Sequence, residues 1–130
     1  MAAAVDIHAA GGALEYSAVS EWDLSAGQYL GVRQGTTTGN YVRISSLVGI
    51  NIVGVVQNKP SSGEAVRVRI LGITKALAGA AITMGDRVDV GATGYFRTAV
   101  SSNYAGIALE TAVTSGAFKL LLNPQYCGAA

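Results

Sequence analysis

Glu64-Ala65-Val66-Arg67-Val68-Arg69-Ile70 is the stretch that sets the fold class. Side chains alternate faces along a strand, so Glu64, Val66, Val68 and Ile70 point one way while Ala65, Arg67 and Arg69 point the other. One face is core and the other is wet. Upstream lie three more short runs, Gln28-Tyr29-Leu30-Gly31-Val32-Arg33, Asn40-Tyr41-Val42-Arg43-Ile44 and Ile52-Val53-Gly54-Val55-Val56. Downstream lie Arg87-Val88-Asp89-Val90, Gly94-Tyr95-Phe96-Arg97-Thr98, Tyr104-Ala105-Gly106-Ile107-Ala108-Leu109 and Ala117-Phe118-Lys119-Leu120-Leu121-Leu122. The 17 glycines and 2 prolines are scattered between these runs, as turn punctuation is and a disordered linker is not. Residues 71–84 are Ala-rich and read as a strand, a short helix or a mixture.

The runs repeat in order. Gly27-Gln28-Tyr29-Leu30 aligns with Gly85-Asp86-Arg87-Val88, and Asn40-Tyr41-Val42-Arg43 with Gly94-Tyr95-Phe96-Arg97. Val53-Gly54-Val55-Val56 aligns with Ala105-Gly106-Ile107-Ala108, and the stretch from Ser62 with that from Ser115. Two related units follow, residues 27–70 and 85–122, each of about four strands. A glycine inside a strand weakens it unless a bulge, bend or close backbone approach needs the missing side chain, so Gly54 and Gly106 are expected at matching bends. The expectation is an all-β chain with a small barrel or sandwich core, a single domain over residues 26–130. Residues 1–25 fall outside the repeat and read as an extended N-terminal arm, with Val5, Ile7, Leu14, Tyr16 and Trp22 as its sizeable apolar groups. Such a segment reads either as a strand added to a neighbour's sheet edge or as a disordered tail.

Composition narrows the function. Half of the 130 residues are hydrophobic and only 13% are charged, against about 25% in an ordinary soluble domain. The outside is short of charge, as a surface covered by a partner would be. A formal net charge of +1 offers no field to hold nucleic acid, and it leaves little repulsion between copies. No apolar run reaches the length of a membrane helix, and the N-terminus lacks the pattern of a secretory signal. The lone Cys127 excludes an intramolecular disulfide, which fits synthesis in a reducing compartment.

The inventory for catalysis is thin. His8 is the sole histidine, which excludes a His-assisted nucleophile in the folded units or a multi-histidine metal site within one chain. Asp86 and Asp89 follow a turn glycine but supply too few oxygens for a calcium ion. The phosphate-cradling loop and the Gly-x-Ser-x-Gly elbow are both absent. The chain is expected to be no enzyme and to need no cofactor. Arg43, Arg67, Arg69 and Arg97 read as ordinary strand-surface charge, or as a basic strip for an acidic partner.

From Gly54-Val55-Val56-Gln57-Asn58-Lys59-Pro60-Ser61-Ser62-Gly63-Glu64-Ala65 through Lys75, the chain resembles small phage-encoded capsid decoration proteins. The resemblance continues in Ala78-Gly79, Met84-Gly85-Asp86-Arg87-Val88 and Gly106-Ile107-Ala108-Leu109-Glu110-Thr111-Ala112, covering roughly residues 27–122. It implies a head-stabilising cement protein with a β-barrel or tulip-like core and no catalytic residues. It also implies a homo-oligomer, favouring a trimer, that is made in the host cytoplasm and binds the major capsid protein on the capsid exterior. Under that reading Val5, Ile7, Leu14, Tyr16 and Trp22 are the expected shell contacts, Trp22 foremost because aromatic anchors dominate binding energy. The competing reading is a carbohydrate- or receptor-binding module of a fibre or spike, with Tyr41, Tyr95 and Tyr104 as a stacking surface.

Overall fold

The alternation that opens at Ala65 continues past Ile70. In the computed structural model, which describes residues 14–35, 41–44, 52–91, 93–99 and 104–123, one strand runs from Ala65 to Leu77. Val66, Val68, Gly72, Thr74 and Ala76 are buried along it, while Arg67, Ile73 and Lys75 are exposed. In chain order the strands are β1 (Leu14–Ser20), β2 (Gly31–Gln34), β3 (Tyr41–Ile44), β4 (Gly54–Val56), β5 (Ala65–Leu77), β6 (Arg87–Val90), β7 (Phe96–Thr98), β8 (Gly106–Ala108) and β9 (Ala117–Leu122). The described residues contain no helix.

The strands pair in the order β1-β3-β2-β4-β5-β9-β8-β6-β7, and β1 also pairs with β5. That extra pairing closes the first five strands into a ring, with β1 antiparallel to β5 and parallel to β3. The second ring runs β5-β9-β8-β6-β7, and a parallel bridge from Ala78 to Phe96 brings its ends together. The core is therefore barrel-like rather than a sandwich of two facing sheets. β5 belongs to both rings: its first half pairs with β1 and β4, its second half with β9.

The register shows that the rings are copies. Val32 pairs with Gly54 as Val88 pairs with Gly106, and Arg43 lies opposite Arg33 as Arg97 lies opposite Asp89. This bears out the alignment of β3 with β7 and of β4 with β8. It shifts β2 against β6 by two residues, so that Val32, and not Leu30, corresponds to Val88. It shifts β5 against β9 by one, because Val55 faces Arg69 where Ile107 faces Leu121. A one-residue slip exchanges the faces of a strand, and the corrected register sets buried Val66 and Val68 on buried Phe118 and Leu120.

The repeat also begins earlier than residue 27. Glu15, Ala18 and Val19 face Arg69, Val66 and Ala65 as Ile73, Ala76 and Leu77 face Leu121, Phe118 and Ala117. The Ser20 N–H donates to the Glu64 carbonyl as that of Ala78 donates to Gly116, both at 2.9 Å. Leu24 and Pro60 correspond to Ile82 and Ala112 in the same way, at 2.8 and 2.9 Å. Residues 14–24, assigned above to an arm, are thus the first strand and turn of the first barrel, and β1 corresponds to the second half of β5. Two of the inward positions of β1, Ala18 and Ser20, are small, so their alternation is faint in the sequence.

Gly54 and Gly106 hold matching places for a common reason, which is close approach. A Cβ on Gly54 would collide with the Arg69 carbonyl oxygen, and one on Gly106 with that of Leu121. Each glycine lets its strand lie against the neighbouring backbone.

Ala18, Leu24, Val32, Val56, Val66 and Val68 form the first core, with Tyr16, Val53 and Ile70 packed against it. The larger core fills the second barrel around Phe96 and Phe118, whose rings meet edge to face at 6.2 Å. Fully burying each of these rings contributes about 1.5–3 kcal/mol. Ile52 and Val55 of the first unit join the second core, and the Gly31 N–H donates to the Gly94 carbonyl at 2.9 Å. The two barrels are one packed body.

Candidate docking surfaces

The sequence-derived contact residues scatter. Val5 and Ile7, like His8, lie outside the described residues. Leu14 opens β1 opposite Leu71 and is 41% exposed. Tyr16 is half-buried against the first core. Trp22 stands in the turn after β1, 40% exposed, and its carbonyl accepts the buried Ser20 hydroxyl. Leu14 opens this seven-residue strand and Trp22 follows its end, which sets them about 20 Å apart along it. They do not make one patch.

Trp22 is flanked by Glu21 and Asp23. The Asp23 carboxylate accepts the Ser25 N–H at 3.0 Å, and that bond holds it below its ordinary pKa. Lys59 and Glu64 complete the charge at this end of the first barrel. The corresponding end of the second barrel, residues 79–85 and 111–116, has no charged side chain. Met84 is 64% exposed there and Val113 71%, with the Met84 N–H bonded to the Thr111 hydroxyl at 3.1 Å.

The outer walls differ as well. On the first barrel Glu15 gathers both arginines of β5, with Arg69 Nη2 at 2.5 Å and Arg67 Nη1 at 3.7 Å. The second barrel has Ile73 in the place of Glu15, Leu121 in that of Arg69 and Lys119 in that of Arg67. Ile73 and Leu121 oppose each other, 47% and 42% exposed, and Lys75 opposes Lys119 beside them. Ile73, Lys75 and Lys119, together with Arg69 and Glu110, line a shallow depression of about 370 Å³. Glu110 accepts the Lys119 backbone N–H at 3.0 Å, and among the described residues neither lysine has an ion-pair partner. The sequence carried a signal for this patch: Leu120-Leu121-Leu122 cannot all face inward on one strand.

Arg97 does not join Arg67 and Arg69 in a strip. It pairs with Asp89 of β6, Nε to Oδ1 at 3.0 Å. Asp89 is buried, and desolvation raises its pKa in spite of Arg97. Asp86 fixes a turn, accepting the Thr83 N–H and the Thr98 hydroxyl at 3.1 Å each. No group of three potential metal ligands occurs among the described residues. Nor does any helix there have the length and apolarity to cross a membrane. Tyr95 and Tyr104 are half-buried, and the Arg87 guanidinium covers the Tyr104 ring at 5.2 Å. The Tyr41 and Arg43 side chains lie outside the described residues.

A family model for phage cement proteins matches residues 27–122. The chain belongs to the phage cement protein family. A cement protein is a structural component of the phage particle, and the family is not known for catalysis. The match starts after β1, the strand that closes the first barrel of this cement protein. In fold the chain is similar to the crystal structure of the head fiber gp8.5 N base in bacteriophage phi29, with a TM-score of 0.68 at 18% identity. That likeness covers 85% of this chain and 94% of the other. No match was found among curated proteins.

Proposed function

We propose that this cement protein binds the outer surface of an assembled phage capsid and bridges neighbouring major capsid subunits. It is made in the host cytoplasm and joins the exterior of the shell as a homo-oligomer, for which a trimer is favoured. The observation that carries the reading, beside the family, is the pair of uncharged turns with Met84 and Val113 exposed at the end of the second barrel. An apolar surface of that kind gains from being covered. No chemistry is needed: a ligand that binds only the assembled form stabilises it by mass action, and many equivalent sites multiply the effect.

The test is to mix purified protein with undecorated capsids and image the particles. Wild-type protein is expected to occupy regular positions on the shell. Val113→Asp is expected to weaken occupancy by about 3 kcal/mol, roughly a hundredfold in Kd, because it buries an unpaired carboxylate. Failure of the wild type to bind the shell would overturn the reading.

A further inference from the structure

The two barrels fill one pair of facing ladder positions with different charges. In the second barrel Asp89 of β6 lies opposite Arg97 of β7, and the two close on each other, Nε to Oδ1 at 3.0 Å. In the first barrel the same positions are Arg33 of β2 and Arg43 of β3. Like charges directly opposed across a ladder are unfavourable, so the fold alone gives no reason for an arginine where the sister barrel has an acid. Nor does the local sequence bring a counter-charge: residues 24–63 contain Arg33, Arg43 and Lys59 but neither Asp nor Glu.

Arg33 is placed to take an acid from elsewhere. Its side chain points outward, on the other face of the strand from buried Val32, and is half-buried. Nε is shut off from water and donates to no acceptor among the described residues, and no ion pair there reaches the guanidinium. Buried donors almost always have an acceptor, and leaving one without costs stability. Partial burial also holds the guanidinium in place, so little side-chain freedom is left to lose when it engages a carboxylate in a fork. The described acids already serve their own chain. Glu15 holds Arg67 and Arg69, and Asp89 is buried on Arg97. Asp23, Glu64, Asp86 and Glu110 accept backbone N–H groups, and Glu21 is engaged as well.

We propose that Arg33 is a carboxylate-receiving contact, and that an acidic side chain of the capsid shell docks on it. The acid brought from outside gives this wall the charge match that Asp89 gives the second barrel from within. The contact deepens the capsid-binding function named above and rests on that reading. It adds a charged point on the first barrel to the uncharged end of the second.

Two measurements test it. In the first, wild type, Arg33→Gln, Arg33→Asp and Arg33→Lys are added to undecorated capsids over a salt series, with circular dichroism and thermal melts confirming that each variant folds. Arg33→Gln is expected to weaken occupancy about tenfold and to flatten its fall with salt. Arg33→Asp, which sets acid against acid, is expected to weaken it about a hundredfold, and Arg33→Lys, which keeps the charge and loses the fork, by only about threefold. Folded Gln and Asp variants that occupy capsids like wild type would overturn the contact and leave the capsid reading standing. The second measurement needs no capsid: polyglutamate is titrated into the full chain while the NMR signal of the Arg33 Nε–H is followed. That signal is expected to move ahead of the Nε–H signals of Arg69 and Arg97, whose acids are already in place. A signal that stays still, or moves only with theirs, overturns the site whatever the capsids do. Wild type that takes the probe at Arg33 yet leaves capsids bare overturns the capsid reading, and with it the shell as the source of the acid.

Discussion

The first and second barrels share a ladder, turns and the two close-approach glycines, yet they present different chemistry to solvent. The first carries a Glu15-centred ion-pair cluster on its wall and four charged side chains around its end turn. The second carries an apolar pair on its wall, with Lys119 and a Lys75 whose ammonium lies over the Tyr29 ring at 5.7 Å, and an uncharged end turn. Even the left-handed backbone positions are kept while the side chains change, with Gly63 at φ 85° answered by Ser115 at φ 67°. What is held constant is the set of positions the backbone constrains. Much of what differs in charge is outward-facing, where the fold leaves the choice of residue open.

The severest way to break the equivalence is at the two strand glycines. Gly54→Ala and Gly106→Ala each drive a methyl into a backbone carbonyl that cannot yield, and each is expected to cost upwards of about 4 kcal/mol. Chemical denaturation should show similar losses, and a loss confined to one barrel's glycine would deny that the copies are equivalent.

Next comes Arg97→Ala, expected to cost about 3 kcal/mol because it strands the buried Asp89. Arg33, at the position of Asp89 in the first barrel, has no hydrogen-bond partner at Nε among the described residues, and Arg33→Ala is expected to cost under about 1 kcal/mol. Asp89 also sets a pH dependence. Its folded pKa is raised above the ordinary 3.8, so its contribution to stability is fully present below that value and is lost as pH rises through the folded pKa. Thermal melts should show wild type losing stability relative to Asp89→Asn as pH climbs from below 3.8 towards neutrality. A difference that stays flat, or runs the other way, would remove Asp89 as the cause.

The smallest effect is expected at Glu15. Its arginine partners are partly exposed, with side-chain accessibilities of 26% and 59%, so Glu15→Ala should cost no more than about 1 kcal/mol. A much larger loss in denaturant titration would mean that the cluster holds β1 on β5 and does more than colour the wall.

Strand type and order were legible wherever large apolar residues alternate with polar ones, as in β5, β6 and β9. The alignment of Arg43 with Arg97 and of Gly54 with Gly106 was also readable, because a tyrosine, an arginine or a lone glycine marks the register. The register was lost where markers are weak. Ser62-Gly63 and Ser115-Gly116 look equivalent as letters, yet the ladder sets Gly63 against Ser115, one residue away. The Ala-rich second half of β5 and the small inward residues of β1 concealed half of one strand and the whole of another, since a buried alanine gives little hydrophobic signal. Of the docking surfaces, Trp22 was visible as a lone large aromatic. The Ile73–Leu121 patch required knowing which strands are neighbours, as pairing alone brings those residues together.

The single strand common to both rings has a mechanical consequence. Its 13 residues span about 43 Å when extended, close to the longest distance such a chain can cover. The connection between the barrels therefore has no slack. Tension applied to opposite ends of the molecule cannot be absorbed by straightening a linker. It loads the hydrogen-bonded ladders on both sides of β5 at once, giving a stiff strut that yields only when those ladders shear.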